Sequence, residues 1–227
     1  MPKTSQTLLE YEIIEPGREA TACVIWLHGL GASGHDFIPV VPHLPLADDL
    51  SVRFIFPHAP SIPVSCNSGY VMPAWYDILA LTEVREINQS HLEDSRMAVS
   101  LLIEQQIEQG IPCEKILLIG FSQGGAVVYH TGLQYPQKLA GLIALSTYMP
   151  NPQLLDDTAR TTNQNITIHI AQGTADDMVK EPVAYLAYEW LQQHEYKVDW
   201  TTYPMGHEVC MPEIRQIGTW ITELLKD

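Results

Sequence analysis

The chain is short of positive charge. Twelve lysines and arginines face 27 aspartates and glutamates, for a formal net charge of −15. A surface of that sign is repelled by phosphate backbones and by anionic membrane surfaces, so nucleic-acid binding is not expected and any membrane contact would be hydrophobic. Long apolar runs are also missing. No stretch approaches the ~20 residues that span a bilayer, so stable membrane insertion is not expected. Met1-Pro2-Lys3-Thr4-Ser5-Gln6 lacks the basic-then-apolar order of a secretory signal. Cys23, Cys66, Cys113 and Cys210 are scattered and form no Cys-x-x-Cys pair. Two of them lie in or beside apolar segments, which points to reduced, packed thiols and a cytoplasmic location. No linker, internal repeat or low-complexity tract divides the 227 residues, and one domain over 1–227 is expected. Hydrophobic residues make up 46% and charged residues 17%, enough apolar material for a large core and too much for a disordered chain.

What is present is an alternation of short apolar segments with amphipathic ones. Segments 23–27, 53–56, 116–119, 142–145, 166–170 and 198–203 read as strands, several apolar throughout, as strands buried on both faces must be. Segment 11–15 reads as an edge strand. Helices are predicted over 91–109, 125–134, 182–193 and 213–225. In the first, Val99, Leu102, Ile103 and Ile107 share a stripe and Gly110 is the stop. This alternation implies an α/β fold, a mostly parallel sheet with helices on both faces. Active residues of such sheets sit in loops at the carboxyl ends of strands.

One motif stands out on this background. Gly120-Phe121-Ser122-Gln123-Gly124 lies between the apolar run 116–119 and a predicted helix. A serine at a tight strand-to-helix turn presents its hydroxyl outward, and the flanking glycines remove Cβ atoms that would collide there. Serines between glycines are common in ordinary turns. The strand before and the helix after are what mark this one as a nucleophile.

A serine hydroxyl needs an imidazole to accept its proton. Of nine histidines, His207 follows the 198–203 strand within Pro204-Met205-Gly206, where a strand end would deliver it. His130, His169 and His194 fall inside or near regular elements and read as structural. His28, His35 and His58 occupy loops or strand ends, but no His-x-x-x-His or His/Cys spacing turns them into a metal site, and no metal is expected. The base in turn needs a carboxylate. Asp176 and Asp177 both follow the 166–170 strand, and spacing does not choose between them. Either gives the order serine, aspartate, histidine found in α/β-hydrolases. An oxyanion also needs two preorganised donors. The Gln123 amide is one, and the glycine-rich loop 28–34 is the source of the other. That loop lacks the Gly-Lys-Ser/Thr of a phosphate cradle.

Taken together, His28-Gly29-Leu30-Gly31-Ala32-Ser33-Gly34-His35-Asp36-Phe37, Phe56-Pro57-His58-Ala59-Pro60, Trp75-Tyr76-Asp77, Gly120 to Gly125, Ala144-Leu145-Ser146, Gly173-Thr174-Ala175-Asp176 and Gly206-His207 resemble the carboxylesterase/lysophospholipase family that includes the acyl-protein thioesterases, most closely its bacterial members. The resemblance implies an α/β-hydrolase fold without a large lid domain. It implies Ser122 as nucleophile, Asp176 rather than Asp177 as acid, His207 as base, and the Leu30 and Gln123 amides as oxyanion donors. It implies no cofactor. The substrates it implies are small-molecule or lipid esters and thioesters with apolar acyl chains, including S-acylated proteins, and it raises self-association as a homodimer. One departure is Gln172, where many relatives carry histidine; being outside the reacting groups, it is expected to matter little.

The acyl-binding wall is read from composition alone. The stretch 70–76 is apolar and aperiodic and reads as a loop flanking the site, with Met72 and Trp75 facing substrate. Met178 and Val179 beside Asp176, and also Met149 and Met205, extend the same wall, each competing with plain core packing. Ser146, Asp77 and Cys66 read as structural. Against the enzyme stands a non-catalytic binding protein on the same fold, which predicts a broken triad position; none is visible. A peptidase or acyltransferase is the rival within enzymes.

Overall fold

The computed structural model describes residues 8–81, 85–155 and 162–226; Met1 to Gln6 lie outside them. Its centre is a seven-stranded sheet ordered β1-β3-β2-β8-β9-β10-β11. The strands are β1 (Tyr11–Ile14), β2 (Ala22–Leu27), β3 (Val52–Pro57), β8 (Ile116–Phe121), β9 (Gly141–Leu145), β10 (Thr167–Gly173) and β11 (Lys197–Tyr203). All neighbours run parallel except β1, which pairs antiparallel with β3 at one edge. Every residue of β2 is buried. Its alternate side chains explain why: Cys23, Ile25 and Leu27 enter one core, and Val24 and Trp26 enter the other. A strand covered on both faces has no room for polar alternation.

The first core receives α1 (Gln89–Glu108), α2 (Gln123–Gly132) and α3 (Glu181–Gln193) through Leu92, Val99, Val127, Ala184 and Leu191. The second receives the 3₁₀ segment Gly34–His43 and α4 (Met211–Leu225) through Phe37, Val40, Ile214, Ile217 and Ile221. Asn88 caps α1 by accepting the His91 amide at 3.2 Å, one of the donors that a helix start leaves unpaired.

The stretch 70–76 is only in part the expected loop: Ala74, Trp75 and Tyr76 lie outside helix and strand, but the residues before them form a strand. β5 (Tyr70–Pro73) pairs antiparallel with β4 (Ser61–Val64) in a separate hairpin, and β6 (Ile78–Ala80) pairs with β7 (Glu86–Ile87) in a second one. Prolines 63 and 73 sit in that first hairpin, where a two-stranded ribbon leaves outward edges that need no N–H. With no main-sheet face to bury, these strands lack the alternation that would have marked them.

Two features of α4 carry measurable consequences. A Cβ added at Gly218 would lie 2.4 Å from Pro45 Cδ and 2.7 Å from Pro45 N. Alanine is the better helix former by about 1 kcal/mol, but overpacking costs about 1–3 kcal/mol, and a backbone atom cannot swing aside. Gly218→Ala is therefore expected to be the less stable protein, with a lower urea midpoint; a raised midpoint would show that the Pro45 segment yields. Glu213, in the first turn, is wholly buried and neither carboxyl oxygen has a well-formed partner. Burial pushes its carboxyl from 4.5 up to about 8, opposed only by the nearby Cys210 amide. The unfolded chain keeps the ordinary value, so between these limits the native state holds an extra proton. This group's contribution to stability is full below the lower value and declines as the pH rises through the upper one. Glu213→Gln is expected to flatten that decline, gaining Tm over the parent in mildly alkaline buffer and matching it in mild acid. Equal slopes in the two proteins would contradict a neutral buried carboxyl.

Candidate active site

Ser122 stands between β8 and α2 with φ 52° and ψ −120°, a region that costs a residue with a Cβ about 1–3 kcal/mol. The surroundings hold it there. Its amide donates to Leu145 O at 2.9 Å, and its carbonyl accepts from Thr147 Oγ1 at 2.6 Å and from the Gly125 amide at 3.0 Å. A Cβ on Gly124 would lie 2.5 Å from His28 O and 2.6 Å from Leu27 O. Only glycine lets the first turn of α2 rest against the end of β2. Strand order reverses between β2 and β8, with β3 beyond one and β9 beyond the other. A crevice opens at such a switch point, and Ser122 is beside it.

His207, after β11, brings Nε2 to 2.9 Å from Ser122 Oγ. Its Nδ1 lies 2.7 Å from Asp176 Oδ2, in the loop after β10. Asp176 is buried, and its Oδ1 accepts the Met178 and Val179 amides at 2.9 and 2.8 Å. A carboxylate offers only acceptors, so Nδ1 carries the imidazole proton and the Nε2 lone pair faces the serine hydroxyl. Phe121 supports the ring from below, centroid to centroid 4.8 Å. Asp177 is exposed. The geometry thus separates the two aspartates that spacing alone left open.

The glycine-rich loop lies across the crevice and is braced from several sides. Gly31 donates to Pro73 O at 2.8 Å, tying the loop to β5. His28 is buried, which lowers its pKa and keeps it neutral; its Nδ1–H donates to Gly29 O at 2.7 Å and its Nε2 accepts the Ala59 amide at 3.1 Å. Among the described residues, the Leu30 and Gln123 amides meet no protein acceptor. Trp75, expected on the cleft wall, is instead 1% exposed. Its indole donates to His28 O and its amide to Gln123 Oε1, both at 2.8 Å, while Gln123 Nε2 donates to Tyr76 O at 2.7 Å. Trp75 therefore supports the loop from within the core. These braces were missed because they join residues 47 or 48 positions apart and leave no local pattern.

Beside Ser122 and His207 opens a cleft of about 380 Å³, walled by Leu30, Met72, Ile78, Phe121, Met178 and Val179. Of the four residues expected on a substrate wall, Met72, Met178 and Val179 line this cleft. Met149 lines an adjoining groove, and Met205 is buried in the second core. Cys66 reaches the cleft; Asp77 is occupied by the Ser65 amide and hydroxyl at 2.7 and 2.6 Å. His35 and His58 converge on Glu12 Oε1 at 3.5 and 3.3 Å, without His28. His58 Nδ1 accepts the Gly34 amide at 3.2 Å. That bond leaves the proton on Nε2, so the nitrogen facing Glu12 is a donor and not the lone pair that a metal requires.

Comparison with known proteins agrees with this geometry. The phospholipase/carboxylesterase family model matches residues 9–225. Acyl-protein thioesterase 1 of Neurospora crassa is 37% identical over 222 residues, covering 90% of this chain and 87% of that protein. Among solved structures, SOBER1 of Arabidopsis thaliana superposes with a TM-score of 0.85 at 30% identity, over 90% of this chain and 99% of that one. Acyl-protein thioesterase 2 of Zea mays gives 0.85 at 25% identity, over 96% and 99%. These relatives are fungal and plant proteins. The chain belongs to the phospholipase/carboxylesterase family and is an ester or thioester hydrolase with the α/β-hydrolase fold.

Proposed function

We propose that the protein is a serine hydrolase that cleaves carboxylic esters and thioesters with apolar acyl chains, with Ser122 as nucleophile, His207 as general base and acid, and Asp176 as the orienting carboxylate. One observation carries the reading: an unbroken hydrogen-bonded chain from Ser122 Oγ through His207 to Asp176, at 2.9 and 2.7 Å. Ser122 Oγ attacks the carbonyl carbon as its proton passes to His207 Nε2. The carbonyl oxygen becomes an oxyanion, received by the Leu30 and Gln123 amides. Collapse expels the alcohol or thiol, which takes the proton from Nε2 and leaves an acyl-serine. A water then repeats the sequence, its proton going to Nε2 and its oxygen to the acyl carbon, and Ser122 Oγ departs with that proton. Asp176 stays ionised throughout and stabilises the imidazolium.

Every group these steps use belongs to one domain over 1–227, and the chemistry needs no cofactor. The acyl chain occupies the cleft of Met72, Met178 and Val179. The thioester arm is supported by the fungal and plant relatives named as acyl-protein thioesterases, and it admits S-acylated proteins beside small-molecule and lipid esters. Tyr70, Val71, Leu81 and Met178 are exposed, an apolar rim suited to a lipid-bearing partner or to a second copy in a homodimer. No helix among the described residues is long and apolar enough to cross a membrane. The four free thiols support a cytoplasmic location, where thiols are kept reduced.

Ser122→Ala is expected to lower kcat/KM for p-nitrophenyl butyrate by about 10⁴-fold or more and to abolish labelling by a fluorophosphonate probe, with an unchanged circular dichroism spectrum. Persistent labelling would place the nucleophile elsewhere. Along a series of p-nitrophenyl esters from acetate upward, kcat/KM is expected to rise by up to about fourfold per methylene while the cleft fills, the equivalent of ~0.8 kcal/mol each. A flat series would show that the acyl chain lies outside this cleft.

A further inference from the structure

Gln172, near the end of β10, is wholly buried. Its Nε2 lies 2.8 Å from Val179 O, 3.2 Å from Gly173 O and 3.3 Å from Asp176 Oδ2. Three acceptors around one end of an amide identify that end as the NH₂, since the flipped amide would set oxygen against oxygen three times. The opposite end, Oε1, is buried without a partner. An orphaned buried carbonyl is costly, so this orientation is maintained by what the NH₂ group holds.

What it holds is the loop that presents Asp176. One proton ties Val179 O, at the far end of the loop, back to the strand. The other is shared between Gly173 O and Asp176 Oδ2. With the Met178 and Val179 amides on Oδ1 and His207 on Oδ2, the carboxylate then has four donors for its roughly four lone-pair sites. We propose that Gln172 is a positioning residue for hydrolysis, fixing Asp176 Oδ2 where the His207 Nδ1–H meets it. As a neutral amide it adds no charge to compete with the imidazolium. This rests on the assignment of Ser122, His207 and Asp176 above, and it reverses the expectation that position 172 matters little.

The test compares Gln172→Leu, which keeps the bulk and loses the donor, with Gln172→His, which offers a ring N–H. Rates are expressed per active site, counted by fluorophosphonate labelling, so that any misfolded fraction drops out. In Gln172→Leu, kcat per site for p-nitrophenyl butyrate is expected to fall about tenfold, the effect of losing one hydrogen bond to a charged group, with KM little changed. The far-downfield proton resonance of His207 Nδ1–H is expected to move upfield or vanish. Gln172→His is expected to recover most of both. If Gln172 merely stabilises the fold, the leucine variant loses Tm and labelled sites while kcat per site and the resonance stay unchanged, and that result overturns the proposal. Should the leucine variant not fold, Gln172→Asn, its amide drawn back by one methylene, is expected to show the same loss in weaker form. A wild-type protein that the probe does not label at Ser122 would sink the triad assignment and this proposal together; a labelled wild type beside unaltered variants would remove Gln172 alone.

Discussion

The whole site depends on one strained residue. Ser122 sits at a positive φ because β8 ends, α2 begins, and no relaxed backbone makes that turn in so few residues. The strain is tolerated because both backbone groups of the serine are occupied by neighbours on β9 and just beyond it, Leu145 and Thr147. Close packing of Gly124 on the carbonyls of Leu27 and His28 then sets the distance between Ser122 and the glycine-rich loop. Loosening any of these contacts would let the hydroxyl turn away from His207. The elbow is thus a product of three adjacent strands, not of the five-residue motif alone.

A second layer keeps these parts in place with neutral groups. Gln123 binds 75 and 76, Trp75 binds 28, His28 binds 59, and Gln172 binds 176 and 179. Each is buried, and each donor meets a carbonyl, a carboxylate or a ring nitrogen. Low dielectric strengthens such bonds and makes their loss expensive. Around a site proposed to carry a transient imidazolium and an oxyanion, uncharged braces hold geometry without disturbing the balance of charge.

Much of this was legible in the sequence, for identifiable reasons. β2 and β8 announce themselves because strands buried on both faces are apolar throughout. α4 does so through the spacing of Ile214, Ile217 and Ile221. The positions of Ser122 and His207 could be read because each follows a readable strand, and the same signal narrowed the acid only to Asp176 or Asp177. Illegible were β4 and β5, whose ribbon has no buried sheet face to impose alternation and contains two prolines. Trp75 was misplaced because composition says that it will be covered by something, not whether that is substrate or protein. The role of Gln172 was hidden for a related cause: its acceptors are one, four and seven residues on, and only the fold of that loop reveals which of them its amide reaches.

The order of the strands has a consequence for the birth of the molecule. The proposed nucleophile and base are 85 residues apart, and the proposed base and acid follow β11 and β10, which are made long after β8. A nascent chain with β2, β8 and α2 already assembled holds a serine with no proton acceptor beside it. Long-range pairings of this kind form late and slowly. With the proposed triad, hydrolytic power arrives only once β11 has joined the sheet, and the growing polypeptide is inert toward acyl groups until then.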